Sequence, residues 1–293
     1  MRFILLALAL ALVIPSAGLA QNGDAKAKAE ALLDQSRAAL GGKKLASLQG
    51  LSASGSYRRL LGERELGGDI EFEMLLPDKF MKQEVLKPMP GVEMTRIEVM
   101  NGETVWFDSQ SSGSGNIVIR QGGGDGPEAE AMRQQQSRAE FARLLIGWLL
   151  APPASFAVEF IYAGKAEAPD GTAEVLAIKG PNNFAAHLFL DQKTHLPLML
   201  SYKGRLPRIA THMVSGPPGN REELEKRARE AQAEVEAAPE VEMQIRFDDY
   251  REVGGILFPH RLSKAANGEV TEEWEMKRFK VNPSIKPEKF EKK

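Results

Sequence analysis

The sequence predicts an α+β fold: a large curved antiparallel sheet, an incomplete β-barrel, with helices capping its concave face. Three observations carry this expectation. Many short segments alternate apolar and polar residues with the period of two that a half-buried strand requires, as in Ile70, Phe72 and Met74 set against Glu71 and Glu73. Hairpin signals recur between such segments, among them Asn101-Gly102, Asp170-Gly171, Gly254-Gly255 and Asn267-Gly268. Segments with helical spacing are few, enough to cover one face of a sheet but not to build layers of their own.

Taken in order, Met1 to Ala20 has the plan of a secretory leader. Arg2 supplies the charged start, Phe3 to Ile14 the apolar run, and Pro15 a break before the small residues of Gly18-Leu19-Ala20. The apolar run is shorter than the roughly 20 residues a spanning helix needs. Cleavage after Ala20 is therefore expected, leaving a periplasmic protein that is not an integral membrane protein. The chain has no cysteine, so neither lipidation at Gln21 nor a disulfide is available. Its roughly 270 remaining residues must be held by a core, and a chain of that length can bury one.

A helix is expected from Asp24, with Ala29, Leu32, Leu33, Ser36 and Leu40 on one stripe and Gly41-Gly42 as its stop. Strands follow at Ile70–Leu76, Phe80–Leu86, Val92–Val99 and Val105–Phe107. In the third of these the apolar phase slips between Met94 and Ile97, which reads as a bulge. Residues 109–127 form a loop rich in glycine and serine. A helix from about Glu128 to Leu150 comes next, polar at first and then apolar at Phe141, Leu144, Leu145 and Trp148, a spacing of i, i+3, i+4 and i+7. Pro152-Pro153 ends it. More strands occupy Phe156–Tyr162, Val175–Ile178, Leu188–Leu190 and Leu196–Tyr202. A charged insert at about 215–239 then begins on Asn220 as an N-cap with Glu223 in the capping-box position. Its helix has little apolar face and is expected to stand in solvent or to meet a partner. Met243, Ile245 and Phe247 open a closing meander that continues through Ile256, Phe258 and Leu262 to Trp274, Met276 and Phe279. Pro259 within it suggests an edge strand or an irregularity.

Tyr250, the Gly254-Gly255 turn, Pro259, Asn267-Gly268, Val281-Asn282-Pro283 and Phe290 resemble the closing strands of the LolA/LolB-like periplasmic lipoprotein carriers. The junction from Leu190 to Pro197 and the Ala39-Leu40-Gly41-Gly42 segment extend the resemblance in scattered pieces. It implies a single LolA-like half-barrel domain over 21–293. It also implies an acyl ligand, on a lipoprotein or a lipid, that passes from an inner-membrane donor to an outer-membrane acceptor. One departure stands at Leu76-Pro77, where the carriers have an arginine before the proline that holds the lid closed. The charged insert is a second departure.

Motifs for chemistry are missing. His187, His195, His212 and His260 fall in separate elements with no i, i+4 pair, so no metal site is expected. Gly122 to Gly126 lacks the Gly-Lys-Ser/Thr of a phosphate loop, and Ser112 and Ser114 lack a nucleophile-elbow frame. Asp248 and Asp249 are adjacent on a strand and point to opposite faces, so they do not share a site. Lys and Arg number 38 against 40 Asp and Glu, a near-balance that argues against a nucleic-acid partner. The expectation is no enzyme and no cofactor. A single curved sheet with few helices leaves room on its concave side for an apolar ligand. The residues expected to line that room are Ile70, Phe72, Met74, Trp106, Phe141, Leu144, Leu145, Trp148 and Phe160, with the 128–150 helix as a movable lid. The function expected is a carrier or binder of acyl chains. The alternative is an envelope interaction or sensor module on the same fold, with the charged insert as its docking surface.

Overall fold

The structure, a computed structural model, describes residues 22–61, 64–89, 91–112, 126–169, 171–205 and 239–292. The leader, the glycine-rich stretch 113–125 and residues 215–238 of the charged insert lie outside the described residues. Helices α1 (Asn22–Leu40) and α2 (Lys43–Ala46) precede five strands: β1 (Gly50–Leu61), β2 (Arg64–Leu75), β3 (Lys79–Met89), β4 (Val92–Asn101) and β5 (Thr104–Ser112). After α3 (Pro127–Leu149) come β6 (Glu159–Ala168), β7 (Gly171–Lys179), β8 (Ala185–Asp191), β9 (Pro197–Gly204), β10 (Val241–Val253), β11 (Ile256–Ala266) and β12 (Glu269–Val281). A 3-10 turn, Pro287–Phe290, follows the last strand.

Among the described residues these strands form one 12-stranded sheet in the order β5-β4-β3-β2-β1-β12-β11-β10-β9-β8-β7-β6. The pairings are antiparallel throughout, and the sheet does not close. First and last strands, β1 and β12, meet in its middle. Its edges, β5 and β6, are consecutive in the chain, and α3 lies in the segment that joins them. Helix α3 packs on β5 and β9, and α1 packs on β6 and β11. The result is the α+β half-barrel that the strand pattern predicts, with the helices inside the curve.

Helix α1 buries the stripe read from the sequence: Ala29, Leu32, Leu33, Ser36 and Leu40 are all inside. Helix α3 starts on Pro127, whose fixed φ suits the first helical position, and ends on Leu150 in the left-handed region. An Arg37 guanidinium on α1 donates to the Leu150 carbonyl at 3.1 Å, satisfying a group that a helix end leaves open. The second half of α3 is pinned by aromatic packing. The Trp148 ring is fully buried, edge-on to Phe72 at 5.3 Å and to Phe279 at 5.5 Å. Phe279 stacks in turn on Phe258 at 4.7 Å, and Phe80 stacks on Phe141 at 5.9 Å. Gly147 brings the helix backbone close to β10: a Cβ there would lie 2.0 Å from Cζ of Phe247.

Several expectations need correction. β1 carries no clear apolar alternation, because its concave-face positions hold Ala53 and Gly55 between Leu51 and Tyr57, and the sequence reading passed over it. Pro259 lies in β11, which is flanked by β10 and β12 rather than exposed at an edge. The irregularity it signals is real: Asp249, beside Pro259's partner Tyr250, has a φ of 56°. No bulge separates Met94 from Ile97, because β4 keeps its register on both neighbours there. The apolar phase slips for another reason. Arg96 and Glu98 share the concave face with Met94 and Met100, while Val99 is buried on the convex face near the C-terminal turn.

Replacing Gly147 with alanine should lower stability by about 1–3 kcal/mol through overpacking against Phe247, outweighing the roughly 1 kcal/mol that alanine gains in a helix. Phe247→Leu in the same chain should recover most of the loss, because it clears the clash. Urea denaturation of the two single variants and the double variant reads this directly. Additive losses would show that the ring is not what Gly147 accommodates.

Candidate functional site

Of the nine residues expected to line a ligand space, seven lie together in one packed core: Ile70, Phe72, Met74, Phe141, Leu144, Leu145 and Trp148. Phe160, on β6, is partly buried against the same cluster. Trp106 is on the other side of the sheet. It pairs with Val99, and its indole Nε1 donates to the Phe290 carbonyl at 3.2 Å. Alternation along a strand identifies two faces but not which is concave, and the C-terminal turn that covers Trp106 is distant in sequence. The shared cluster is therefore real, but its middle is filled by α3 rather than left open. Space remains at the two ends of the half-barrel.

At the end where β1 begins there is an apolar chamber of about 330 Å³. Its walls come from α2 (Leu45), the link between α2 and β1 (Leu48), the β2–β3 turn (Leu76, Pro77) and the end of α3 (Leu145, Leu149), with Arg37 alongside. Only Leu145 of the expected lining reaches it. Leu76, where the resemblance to carriers breaks, is one of its walls.

At the other end the concave face turns from apolar to charged. Register places Tyr57 and Arg59 of β1 beyond Ala53, Lys82 and Glu84 of β3 beyond Phe80, and Lys264 of β11 beyond Leu262. Arg59 reaches Glu272 at 2.6 Å and Glu84 at 3.4 Å. Lys82 holds Glu98 at 2.6 Å, Lys264 holds Glu272 at 3.5 Å, and Trp274 Nε1 also donates to Glu272. Burial pushes the Glu272 carboxyl up, but Lys264 and Arg59 outweigh it and bring it to about 2. The same contest keeps Glu98 below the usual glutamate range: burial raises it, and Lys82 lowers it further. Burial would lower Lys82, yet Glu98, Glu84 and Glu140 hold its ammonium above the ordinary lysine value. Beside this network a cleft opens between α3 and the sheet, with Phe72, Phe141 and Leu144 on its floor and Lys82, Arg143 and Lys264 around them. The sequence reading did not find this network. Its signal was the slipped phase at Arg96 and Glu98, charges where a strand face should have stayed apolar.

Among the described residues no helix is long and apolar enough to cross a membrane, and no group of three or more His, Asp or Glu side chains is placed to hold a metal ion.

Comparison with protein-family models and with curated protein sequences finds no match. Solved structures similar to this chain include a DUF1329 family protein from Desulfovibrio piger, at 10% identity and a TM-score of 0.49, covering 90% of this chain and 97% of that one. A LolA superfamily protein from Nitrosomonas europaea is similar at 12% identity and a TM-score of 0.43, with 90% and 97% covered. An outer membrane lipoprotein-sorting protein domain from Vibrio parahaemolyticus is similar at 10% identity and a TM-score of 0.49, with 89% and 97% covered.

The charged end makes stability depend on acid. The folded pKa of Glu272, about 2, lies below the unfolded glutamate value of about 4.3. Stability from this carboxylate is therefore complete above about pH 5 and is lost as pH falls toward 2, on the order of 3 kcal/mol. Glu272→Gln should be less stable at pH 7, because it leaves Arg59 and Lys264 without their shared carboxylate. Between pH 5 and 2 its stability should fall less steeply than that of the unmodified chain. Thermal unfolding across that range measures both effects; parallel curves would contradict the assignment.

Proposed function

We propose that this chain is a non-enzymatic periplasmic binder and carrier of acyl chains, drawn from lipoproteins or lipids, and that residues 21–293 form one half-barrel domain that holds the acyl chain in the chamber beside α2. The observation that carries this reading is the chamber itself, about 330 Å³ walled by leucine and proline side chains from four separate segments. That volume lies at the lower end of the range for small-molecule sites, roughly 300–1,000 Å³. It suits part of a single chain rather than a whole diacyl lipid. The pairing of β1 with β12 supports the single domain, since both ends of the chain are needed to complete the sheet.

Each methylene moved from water into such walls contributes about 0.8 kcal/mol, or about a fourfold gain in affinity per carbon. Binding driven this way is reversible and indifferent to most head groups, as a carrier requires. The short helix α2 and the segment 151–152 form the chamber's outer side, so a ligand can be admitted there without moving α3. Export would follow from the Met1 to Ala20 segment, and the intact mass of the exported protein should begin at Gln21.

Isothermal titration with saturated fatty acids of increasing length tests the reading. Affinity should rise about fourfold per carbon until the chamber is full and then level off. Ala46→Trp, at an exposed position on the chamber wall, should lower affinity by tenfold or more while shifting stability by no more than about 0.5 kcal/mol. An affinity independent of chain length, or one that Ala46→Trp leaves intact, overturns the reading.

A further inference from the structure

We propose that the cleft at the charged end of the half-barrel is an oxyanion site, taking the carboxylate or phosphate group of a ligand with Arg143 as its anchoring side chain. The site is separate from the chamber and stands or falls without it.

Among the cations that line the cleft, Lys82, Arg143 and Lys264, the pairing of charges singles out Arg143. Arg59, Lys82 and Lys264 each have a carboxylate within ion-pair distance. Arg143 has none among the described residues. Its guanidinium instead lies over the Tyr202 ring, 3.8 Å from the ring centre, and 5.1 Å from that of Phe184. Its Nε is buried and has no hydrogen-bond partner among the described residues. An arginine used only for packing stacks in this way but leaves its donors to water. Here a buried donor goes unsatisfied, an arrangement that is costly unless a ligand completes it. Burial also lowers its pKa, by more than the opposing pull of Tyr202 and Glu140 raises it.

The surroundings favour an anion. The concave face at this end carries Arg59, Lys82, Arg96, Arg143 and Lys264 against Glu84, Glu98, Glu140 and Glu272, one cation in excess. The carboxylates nearest the cleft are already engaged. Glu272 accepts from Arg59 and Trp274 and lies 3.5 Å from Lys264, and Glu98 is held by Lys82. Glu140 is the exception: half exposed and 4.0 Å from Lys82, it is the group that an incoming oxyanion displaces. Stacking fixes the plane of the Arg143 guanidinium, and a fixed plane of paired donors matches the oxygens of a carboxylate or a phosphate. The enclosed space at the base of the cleft is small, about 30 Å³, so only part of an anionic head group is swallowed and the rest of a ligand stays outside.

The test uses the Ala46→Trp background, in which the chamber is plugged, and three probes: inorganic phosphate, dodecyl phosphate and 1-dodecanol. Dodecyl phosphate should bind by isothermal titration, and Arg143→Leu should weaken it tenfold or more without lowering the melting temperature of the ligand-free protein. Dodecanol should not distinguish the two variants. If Arg143→Leu fails to fold, Arg143→Lys carries the same test: it keeps the charge, loses the paired donors and should weaken binding several-fold. Loss of inorganic phosphate binding in the variant supports the site and assigns it to a free anion; an effect confined to dodecyl phosphate supports it and assigns a lipid head group. Binding of neither phosphate to the unsubstituted site, or an affinity unchanged by either Arg143 variant, overturns the proposal.

Discussion

The packing of Trp148 between Phe72 and Phe279 is the contact on which the interior depends. A twisted antiparallel sheet that stops short of closing has a concave apolar face that must be covered. In this chain the segment leading from one edge strand to the other contains the helix that covers it. Because β5 and β6 are the edges and are consecutive in sequence, α3 has to cross the mouth of the half-barrel. Trp148, Phe141 and the absence of a side chain at Gly147 let it settle deeply enough to fill the middle. Filling the middle displaces open space to the two ends. One end is apolar, beside α2; the other is charged, beside Glu140 and Arg143 of α3.

The two ends differ in what holds them. At the apolar end, dispersion and burial act without direction, and a void there loses only contacts. At the charged end, each partner is needed by another. Removing one member of a buried pair leaves a charge in a poor solvent at a cost of about 3–5 kcal/mol, even though a well-packed apolar replacement for the whole network would be neutral or better. Such a network contributes little net stability. What it fixes is mutual position: Glu272 of β12 is tied to Arg59 of β1 and Lys264 of β11, so three neighbouring strands share one register at that point.

Much of this was legible in the sequence. The stripe of α1, the extent of α3, the alternation in β2 and the hairpins at Gly254-Gly255 and Asn267-Gly268 all appear where local pattern and turn chemistry place them. What escaped has identifiable physical causes. β1 escaped because Ala53 and Gly55 leave little apolar contrast along a strand packed beneath large aromatic rings. Arg96 and Glu98 looked like a slip in β4 because a pattern rule assumes that the concave face is apolar along its full length. Trp106 was assigned to the wrong face because the Phe290 turn that covers it is set by tertiary packing. Gathering Phe72, Phe141 and Trp148 was sound as adjacency: Trp148 is packed in, whereas Phe72 and Phe141 floor the cleft beside the charged network, since periodicity shows which residues meet and not how much gap remains between them.

The claim that α3 is core rather than a lid is tested most directly by native-state hydrogen exchange of its amides. The account predicts that Phe141 to Leu149 exchange only through global unfolding, with the same opening free energy as the central strands β1 and β12. The contradicting result is exchange of that segment through a smaller, separate opening while β1 and β12 stay protected. That would mean the helix lifts from the sheet as a unit, and the space beneath it would again be the place to look for a ligand.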